Sequence, residues 1–322
     1  MHQLYCVTKN KQYNITPIVG SLAWKSSIDT LGVQLDFEVA FNDDRYFPVS
    51  PVDIGSMVIL RNQYEIFRGI VVTEDRNGRQ PRTYTAFDPA FYLNKSKAIY
   101  QFRQMPADQA INKILADFSV PVGNIAAMTV PITKIYSGDT VSDIIKDIIS
   151  QVTTKTGVKY RMEMQVNKLY IELQQNMVIT PTFRLASNLA SAPVTAAISN
   201  PTRKRSIEEM KNSIKITSDD KVIAEVKDDS LISKYGLLQE VQTADENEKS
   251  QARNTAANLL KDLGRIFEEN SIEVPGSDDA RAGRLISVEE HITGMTGNYL
   301  IKDVTHTLKG GIHSMQLSLG VV

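Results

Sequence analysis

The chain has 322 residues, which is long enough for two or three domains that each bury a core. Its 36 basic and 37 acidic residues leave a formal net charge of −1, which argues against a polyanion or an anionic membrane as the main partner and favours protein partners. The single cysteine, Cys6, excludes an intrachain disulfide framework and fits assembly in a reducing cytosol.

Residues 1–100 have the pattern of a small antiparallel β-barrel or sandwich. Residues 32–41 alternate strictly between apolar and polar, which predicts a strand. Its buried face is expected to carry Val33, Leu35, Phe37, Val39 and Phe41. Strands at 55–61, 64–73 and 83–87 follow, separated by residues that favour turns.

Residues 101–200 are predicted to form a middle module that begins with two helices. The first is indicated by an apolar stripe over 107–118, with Pro106 in its first turn. The second follows Thr140-x-x-Asp143, which approximates a capping box. The buried face of this second helix is predicted to carry Val141, Ile144, Ile145, Ile148, Ile149 and Val152.

The middle module is predicted to end in a β-hairpin. After Gly157 the apolar period changes from about 3.6 to 2 residues, which predicts strands at 158–164 and 169–173. The pattern then weakens, and a domain boundary is predicted near residues 199–202. The basic cluster at 203–205 is expected to lie in a solvated linker, and three charges are too few to suggest nucleic-acid binding.

Residues 201–322 are predicted to form a second β-barrel domain that carries an inserted long helix. An apolar stripe indicates this helix over about 246–269. The domain ends in a hairpin, in which a strand at 298–308 is followed by a turn at Gly310-Gly311 and a returning strand at 312–319.

No catalytic, cofactor-binding or metal-binding residue is predicted. The sequence lacks Gly-x-Ser-x-Gly, His-Glu-x-x-His, a Walker loop and Gly-x-Gly-x-x-Gly, and its acidic residues are interpreted as solvated surface. With a tight turn, His306 should face Met315 and Leu308 should face His313, so these two histidines are not expected to be cross-strand partners. We therefore expect no bound metal and no cofactor.

Residues 137–146 resemble the opening of a LysM peptidoglycan-binding module. A LysM unit needs a second helix and a closing strand soon afterwards, whereas one helix here leads directly to a predicted hairpin. We interpret this segment as a capped amphipathic helix. No apolar stretch approaches the roughly 18 residues that span a bilayer, and residues 1–30 lack a signal-peptide pattern, so membrane insertion is not expected.

The order of patterns along the whole chain resembles the central baseplate hub of contractile-tailed phages and phage-like particles, especially the hubs of PBSX-type defective prophages. The resemblance is carried by residues 84–93, 230–236 with the Ala-rich helix that follows, 283–288, 299–306 and 315–319. It implies two similar small barrels per subunit and a homotrimer, whose six barrels form a ring that adapts the six-fold tail tube to the three-fold spike.

The sequence is therefore interpreted as an α+β, mainly β protein with two small antiparallel barrels, a helix-and-hairpin middle module and a helix inserted in the last domain. The resemblance implies a non-enzymatic hub in the tail of a virion or phage-like particle, assembled in the bacterial cytoplasm. Its implied partners are the spike, the tail tube, the tape-measure protein and other baseplate proteins. The alternative is a tail-associated protein that binds or degrades peptidoglycan, and the spike base of a secretion system is a near relative of the hub.

Overall fold

The computed structural model describes residues 2–9, 11–184, 189–219, 221–244 and 246–321. Strands make up 50% of the chain and helices 21%, which confirms the predicted α+β, mainly β class. Short 3-10 helices occupy Thr16–Ile18, Gln174–Asn176, Val194–Ala197 and Glu246–Gln251.

The regular structure of the first part of the chain is mainly β-strand, as predicted. Its strands are β1 (Gln3–Thr8), β2 (Lys11–Asn14), β3 (Val19–Ser27), β4 (Val33–Val39), β5 (Met57–Arg61), β6 (Glu65–Asp75) and β7 (Arg82–Phe87). The alternation in β4 is confirmed, because its four odd-numbered residues are buried, although the strand ends two residues before Phe41. These side chains join Trp24, Phe67 and Tyr84 in one apolar core.

The middle of the chain contains the predicted helices and hairpin. Its elements are α1 (Ala90–Lys95), β8 (Lys97–Pro106), α2 (Ala107–Asp117), β9 (Val122–Ile125), β10 (Pro131–Thr140), α3 (Val141–Thr156), β11 (Tyr160–Gln165) and β12 (Lys168–Leu173). The six predicted apolar residues of α3 are all buried. Thr140 caps this helix by accepting a hydrogen bond from the Asp143 N–H at 3.2 Å, as expected. Pro106 precedes α2 as its N-cap residue instead of lying in the first turn.

Short strands then lead into a small α/β layer. The strands are β13 (Val178–Ile179), β14 (Thr182–Phe183), β15 (Ala192–Pro193) and β16 (Ser199–Ser206), and the layer comprises β17 (Ser213–Ser218), β18 (Lys221–Lys227), α4 (Asp229–Tyr235), β19 (Gln239–Thr243) and α5 (Ala252–Leu263). In this layer α5 packs on the β18-β17-β19 sheet.

The inserted helix α5 is shorter than the predicted range of 246–269. It begins after a 3-10 helix and ends at Leu263, where the N–H of the following Gly264 bonds to the Leu260 carbonyl. Phe267, predicted to continue the apolar stripe of the helix, instead opens a strand. An apolar stripe therefore overestimated the helix, because the period alone does not mark where a glycine ends it.

The chain ends in four long strands that include the predicted hairpin. They are β20 (Phe267–Pro275), β21 (Leu285–Glu290), β22 (Met295–Lys309) and β23 (Ile312–Val321). The predicted register is confirmed, because His306 lies opposite Met315 and Leu308 lies opposite His313. Gly310 and Gly311 both have positive φ, which the tight turn requires. A second apolar core forms around Ile272, Leu317 and Leu319.

One sheet runs through both ends of the molecule. Its main path is β16-β20-β23-β22-β3-β4-β7-β6-β5-β1-β2. One edge of β22 pairs with β21 over residues 295–300 and with β3 over residues 303–309, so β22 joins the first and last parts of the chain. Within the described ranges this path ends at β2 and β16 without closing on itself, so the predicted closed barrels are not confirmed.

Candidate functional site

A buried cluster of charges joins the three parts of the chain. Arg161 and Glu163 lie on β11, and Arg281 and Arg284 lie just before β21. The Glu163 carboxylate contacts all three arginines, with Arg281 Nη1 at 3.1 Å and Arg284 Nη2 at 3.4 Å. Arg281 also donates to the carbonyl of Ile66 on β6 at 2.9 Å. We call these four charged residues the arginine joint.

The arginine joint holds more positive than negative charge away from water. Its three guanidinium groups share one carboxylate, and the Glu163 side chain is only 8% exposed. Burial, together with the like charge of Arg284, lowers the pKa of Arg161 to about 10. Burial also lowers the pKa values of Arg281 and Arg284. Burying charges that are not fully paired costs free energy. The packing of the surrounding fold must therefore offset the cost of keeping the arginine joint buried.

The prediction that the acidic residues are solvated is wrong for Glu163 and for Asp88. Asp88 is 4% exposed and accepts hydrogen bonds from the N–H groups of Val33 and Ala90 at 2.8 and 3.0 Å. Burial raises its pKa to about 7. In both segments, successive side chains point to opposite faces, so the sequence shows which face carries Glu163 and which carries Asp88. The sequence carries no signal that this face is covered by another part of the chain.

Three of the histidines, His2, His306 and His313, lie closer together than predicted. His306 and His313 are not directly opposite, but they are diagonal neighbours on one face, and His306 Nδ1 lies 3.1 Å from His313 Nε2. His2 stacks edge-on against His313, with ring centroids 4.9 Å apart. His291 lies in an exposed turn, 87% exposed and apart from the others. The register was predicted correctly, but the diagonal contact and the approach of His2 were missed.

Polar contacts surround this histidine group. His2 Nε2 lies 2.8 Å from Asp278 Oδ1, and Asn62 donates to Asp278 Oδ2 at 2.9 Å. Burial lowers the pKa of His306 to about 3 and that of His313 to about 4, so both rings are neutral at pH 7. We call His2, Asp278, His306 and His313 the histidine cluster. It joins the first strand, the loop after β20 and the last hairpin.

Several large apolar side chains are exposed and offer surfaces for protein partners. Tyr46 and Val49, in the loop between β4 and β5, are 86% and 93% exposed. Ile99 and Ile135, on the ribbon of β8 and β10, are 77% and 65% exposed. Ile292, in the turn before β22, is 89% exposed. Exposed apolar groups of this size are typical of interfaces when they lie near one another.

The prediction that the basic cluster at 203–205 lies in a solvated linker is wrong. These residues belong to β16, which pairs with β20. Arg203 Nη2 lies 2.7 Å from Glu268 Oε1, and Lys204 Nζ lies 3.0 Å from Glu269 Oε2. The basic residues of β16 and the acidic residues of β20 therefore neutralise each other across the ladder. Within the described ranges, β16 is an end strand of the main sheet path.

The segment that resembles a LysM opening has the structure expected of a capped helix. Residues 137–140 finish β10, and α3 then leads directly into the β11–β12 hairpin, as predicted. Of the helices in the described ranges, none combines the length and the apolar composition that crossing a bilayer requires.

The family model described as YQBQ-like matches residues 22–320. The chain belongs to the YQBQ-like family. It is 28% identical over 260 residues to protein YqbQ of Bacillus subtilis strain 168, which covers 79% of this chain and 77% of YqbQ. It is 26% identical over 283 residues to XkdQ of the phage-like element PBSX from the same strain, covering 86% and 84%. The predicted relationship to PBSX-type prophage proteins is therefore confirmed.

The fold is also similar to a solved structure. The 43 kDa tail protein of prophage MuSo2 from Shewanella oneidensis matches with a TM-score of 0.72 over 98% of each chain. The two sequences are only 14% identical, so this similarity concerns the fold alone. It covers both ends of the sheet and the middle module together.

Proposed function

We propose that this member of the YQBQ-like family is the central hub of a phage or phage-like contractile tail baseplate, and that it is a structural protein without enzymatic activity. Its relative XkdQ belongs to the phage-like element PBSX, and a protein of similar fold is a prophage tail protein. The sequence lacks the nucleophile, metalloprotease and nucleotide-binding motifs that would suggest catalysis. These observations support a structural role in tail assembly.

The observation that most supports this role is the symmetric order of four strands at the centre of the main sheet. The strand order β23-β22-β3-β4 is symmetric, because β22 and β3 are antiparallel and each is flanked outward by the strand that follows it in sequence. Each side has its own apolar core. In the proposed hub, the two sides of the β22–β3 pair would be two similar modules.

Two modules per chain provide a means of matching different symmetries. Three copies of the chain would place six similar modules in a ring, which can face a six-fold tail tube on one side and a three-fold spike on the other. The exposed apolar residues of the 40–56 loop and of the β8–β10 ribbon would then contact neighbouring subunits, the tube, the tape-measure protein or other baseplate proteins. The arginine joint would hold the modules at a constant angle within each chain.

The test is to co-express the chain with the spike protein of its own particle and to measure the mass of the complex by light scattering. We expect three hub and three spike subunits, with electron micrographs that are nearly six-fold when viewed along the axis. The chain alone and the spike alone serve as controls. A stable hub dimer, or a chain that never engages the spike, would contradict the proposal. Clearing of cell-wall substrate by the purified chain would contradict its non-enzymatic part.

A further inference from the structure

We infer that His2, Asp278 and His313 form a binding site for a divalent transition-metal ion that fastens the first strand to the last module. The three residues lie just before β1, in the loop between β20 and β21, and on β23. Their ligand atoms all lie within 4.8 Å of one another. This inference is independent of the proposed hub role, and it replaces the expectation from the sequence that no metal binds.

The hydrogen bonds of the cluster determine which ring nitrogens carry hydrogen. His306 Nε2 lies 2.9 Å from the carbonyl oxygen of Ala280, so this nitrogen must donate. In the neutral ring His306 Nδ1 is then an acceptor, and the neighbouring Nε2 of His313 must donate to it across 3.1 Å. His313 Nδ1 is therefore left with a lone pair.

That lone pair faces a second acceptor. His313 Nδ1 lies 3.9 Å from Asp278 Oδ1, which is too far for a hydrogen bond but close enough for both atoms to bind one cation. His2 Nε2 approaches the same carboxylate oxygen at 2.8 Å, and its hydrogen can be displaced by a metal because the other ring nitrogen can carry it. A cation between these three atoms would satisfy all of them at once.

Neighbouring groups hold the three side chains in position. His313 donates its second ring nitrogen to His306, and Asp278 accepts a hydrogen bond from Asn62, which fix the orientation of two ligands. The His313 ring also lies against the backbone of Gly276, where a Cβ would come within 2.1 Å of the ring. The side chains of His2, Asp278 and His313 are 8%, 10% and 13% exposed.

The ligand set determines the class of ion. Two imidazole nitrogens and one carboxylate suit Zn²⁺ and its first-row neighbours, whereas Mg²⁺ and Ca²⁺ prefer all-oxygen ligands. Metal–ligand distances of about 2.1 Å in a tetrahedral site require ligand atoms roughly 3.4 Å apart, so the side chains need to shift by about 1 Å. The site borders a cavity of about 1220 Å³, from which water can supply the remaining ligands.

The site is tested on the full chain without a histidine tag, after treatment with EDTA and removal of the chelator. Titration with Zn²⁺ by calorimetry, and with Co²⁺ by visible absorption, should each show one equivalent bound per chain. Co²⁺ should give the absorption bands of a four- or five-coordinate site that contains nitrogen. Zn²⁺ should also raise the midpoint of thermal unfolding, whereas Mg²⁺ should not.

Two substitutions and one control locate the ion. Asp278→Asn preserves the shape of the side chain, and His313→Gln removes a ligand, so each should weaken Zn²⁺ binding at least about tenfold. His291→Gln changes the exposed histidine outside the cluster and should leave binding unchanged. Circular dichroism establishes that each variant is folded. No stoichiometric binding to the wild type, or equal binding by wild type and folded Asp278→Asn, would overturn the inference.

Discussion

At the scale of single residues, the buried charges of the arginine joint are expected to have a large effect on the free energy of unfolding. Glu163 is the carboxylate of the arginine joint, and its oxygens contact one guanidinium group from its own strand and two from the distant segment before β21. A buried ion pair adds little net stability compared with an apolar replacement, but removing one partner leaves the other charge without compensation. Substitution of Glu163 should therefore lower the free energy of unfolding more than the same substitution of an exposed acidic residue.

Glu163→Gln should lower the free energy of unfolding by about 3–5 kcal/mol, because three guanidinium groups then share no carboxylate. The matched control is Glu225→Gln on β18, where the side chain is 45% exposed and lies 3.8 Å from Lys215. That control should change stability by less than about 1 kcal/mol. Urea unfolding followed by circular dichroism measures both. Equal stability of the two variants would mean that the joint does not hold the modules together.

Gly283→Ala should also destabilise the joint. Gly283 has φ of +85°, a conformation that alanine adopts only with strain, and an added Cβ would lie 2.6 Å from Arg161 Cγ. We expect a loss of roughly 1–3 kcal/mol. Gly20→Ala is the control, since its nearest neighbour would be a Glu38 carboxylate oxygen at 3.7 Å. A thermal midpoint of Gly283→Ala equal to that of Gly20→Ala would contradict this account of the close approach.

At the scale of single elements, the sequence predicts α3 by several independent signals. Its apolar residues recur at helical spacing, and they are buried against α1, α2 and the β-ribbons of the middle module. Thr140 closes its first turn, and Gly157 ends it in the left-handed conformation with φ of 73°. Pattern, start and stop signals therefore all agree for this helix.

Ile145→Asp should cost more than about 3 kcal/mol, because it places a charge at a fully buried position of the α3 stripe. Ser150→Asp introduces the same residue on the exposed face of the same helix and should change stability by less than about 0.5 kcal/mol. Thr140→Ala removes the cap and should cost about 1 kcal/mol. Denaturant unfolding ranks the three variants. An Ile145→Asp variant as stable as wild type would show that the stripe is not a packing face.

At the scale of the whole molecule, β22 joins strands from the first and last parts of the chain in a single sheet. It pairs with β3 from the first part of the chain and with β21 and β23 from the last part. In the proposed hub, neighbouring subunits would therefore contact one continuous sheet instead of separate domains on linkers. The near-neutral net charge of −1 gives no long-range attraction that would drive this association.

The proposed hub–spike complex should accordingly resist salt. Screening shortens to about 8 Å at roughly 0.15 M ionic strength, which weakens contacts between exposed charges but not apolar or strand-edge contacts. We expect the mass of the complex to remain constant from about 0.05 to about 0.5 M salt. Light scattering at several salt concentrations measures this directly. Dissociation within that range would indicate an interface dominated by exposed charge pairs.

The sequence by itself determined those features that depend on neighbours along the chain. Alternation located β4 and both strands of the last hairpin, helical spacing located α3, and two glycines marked the final turn with the correct register. Each of these signals is local, because the period of a strand or helix shows which side chains share a face. The order of such elements was also sufficient to indicate the relationship to PBSX-type prophage proteins.

Only the tertiary structure decided what covers each face. Arg161 and Glu163 alternate with apolar residues on β11, as solvated residues would, yet the last module buries them. The pairing of β3 with β22 joins residues 21–27 to residues 303–309, and it brings His2 to His313. Contacts of this range depend on how distant faces complement one another. A periodic pattern cannot record that complementarity, because it describes one segment and contains no information about the segment that packs against it.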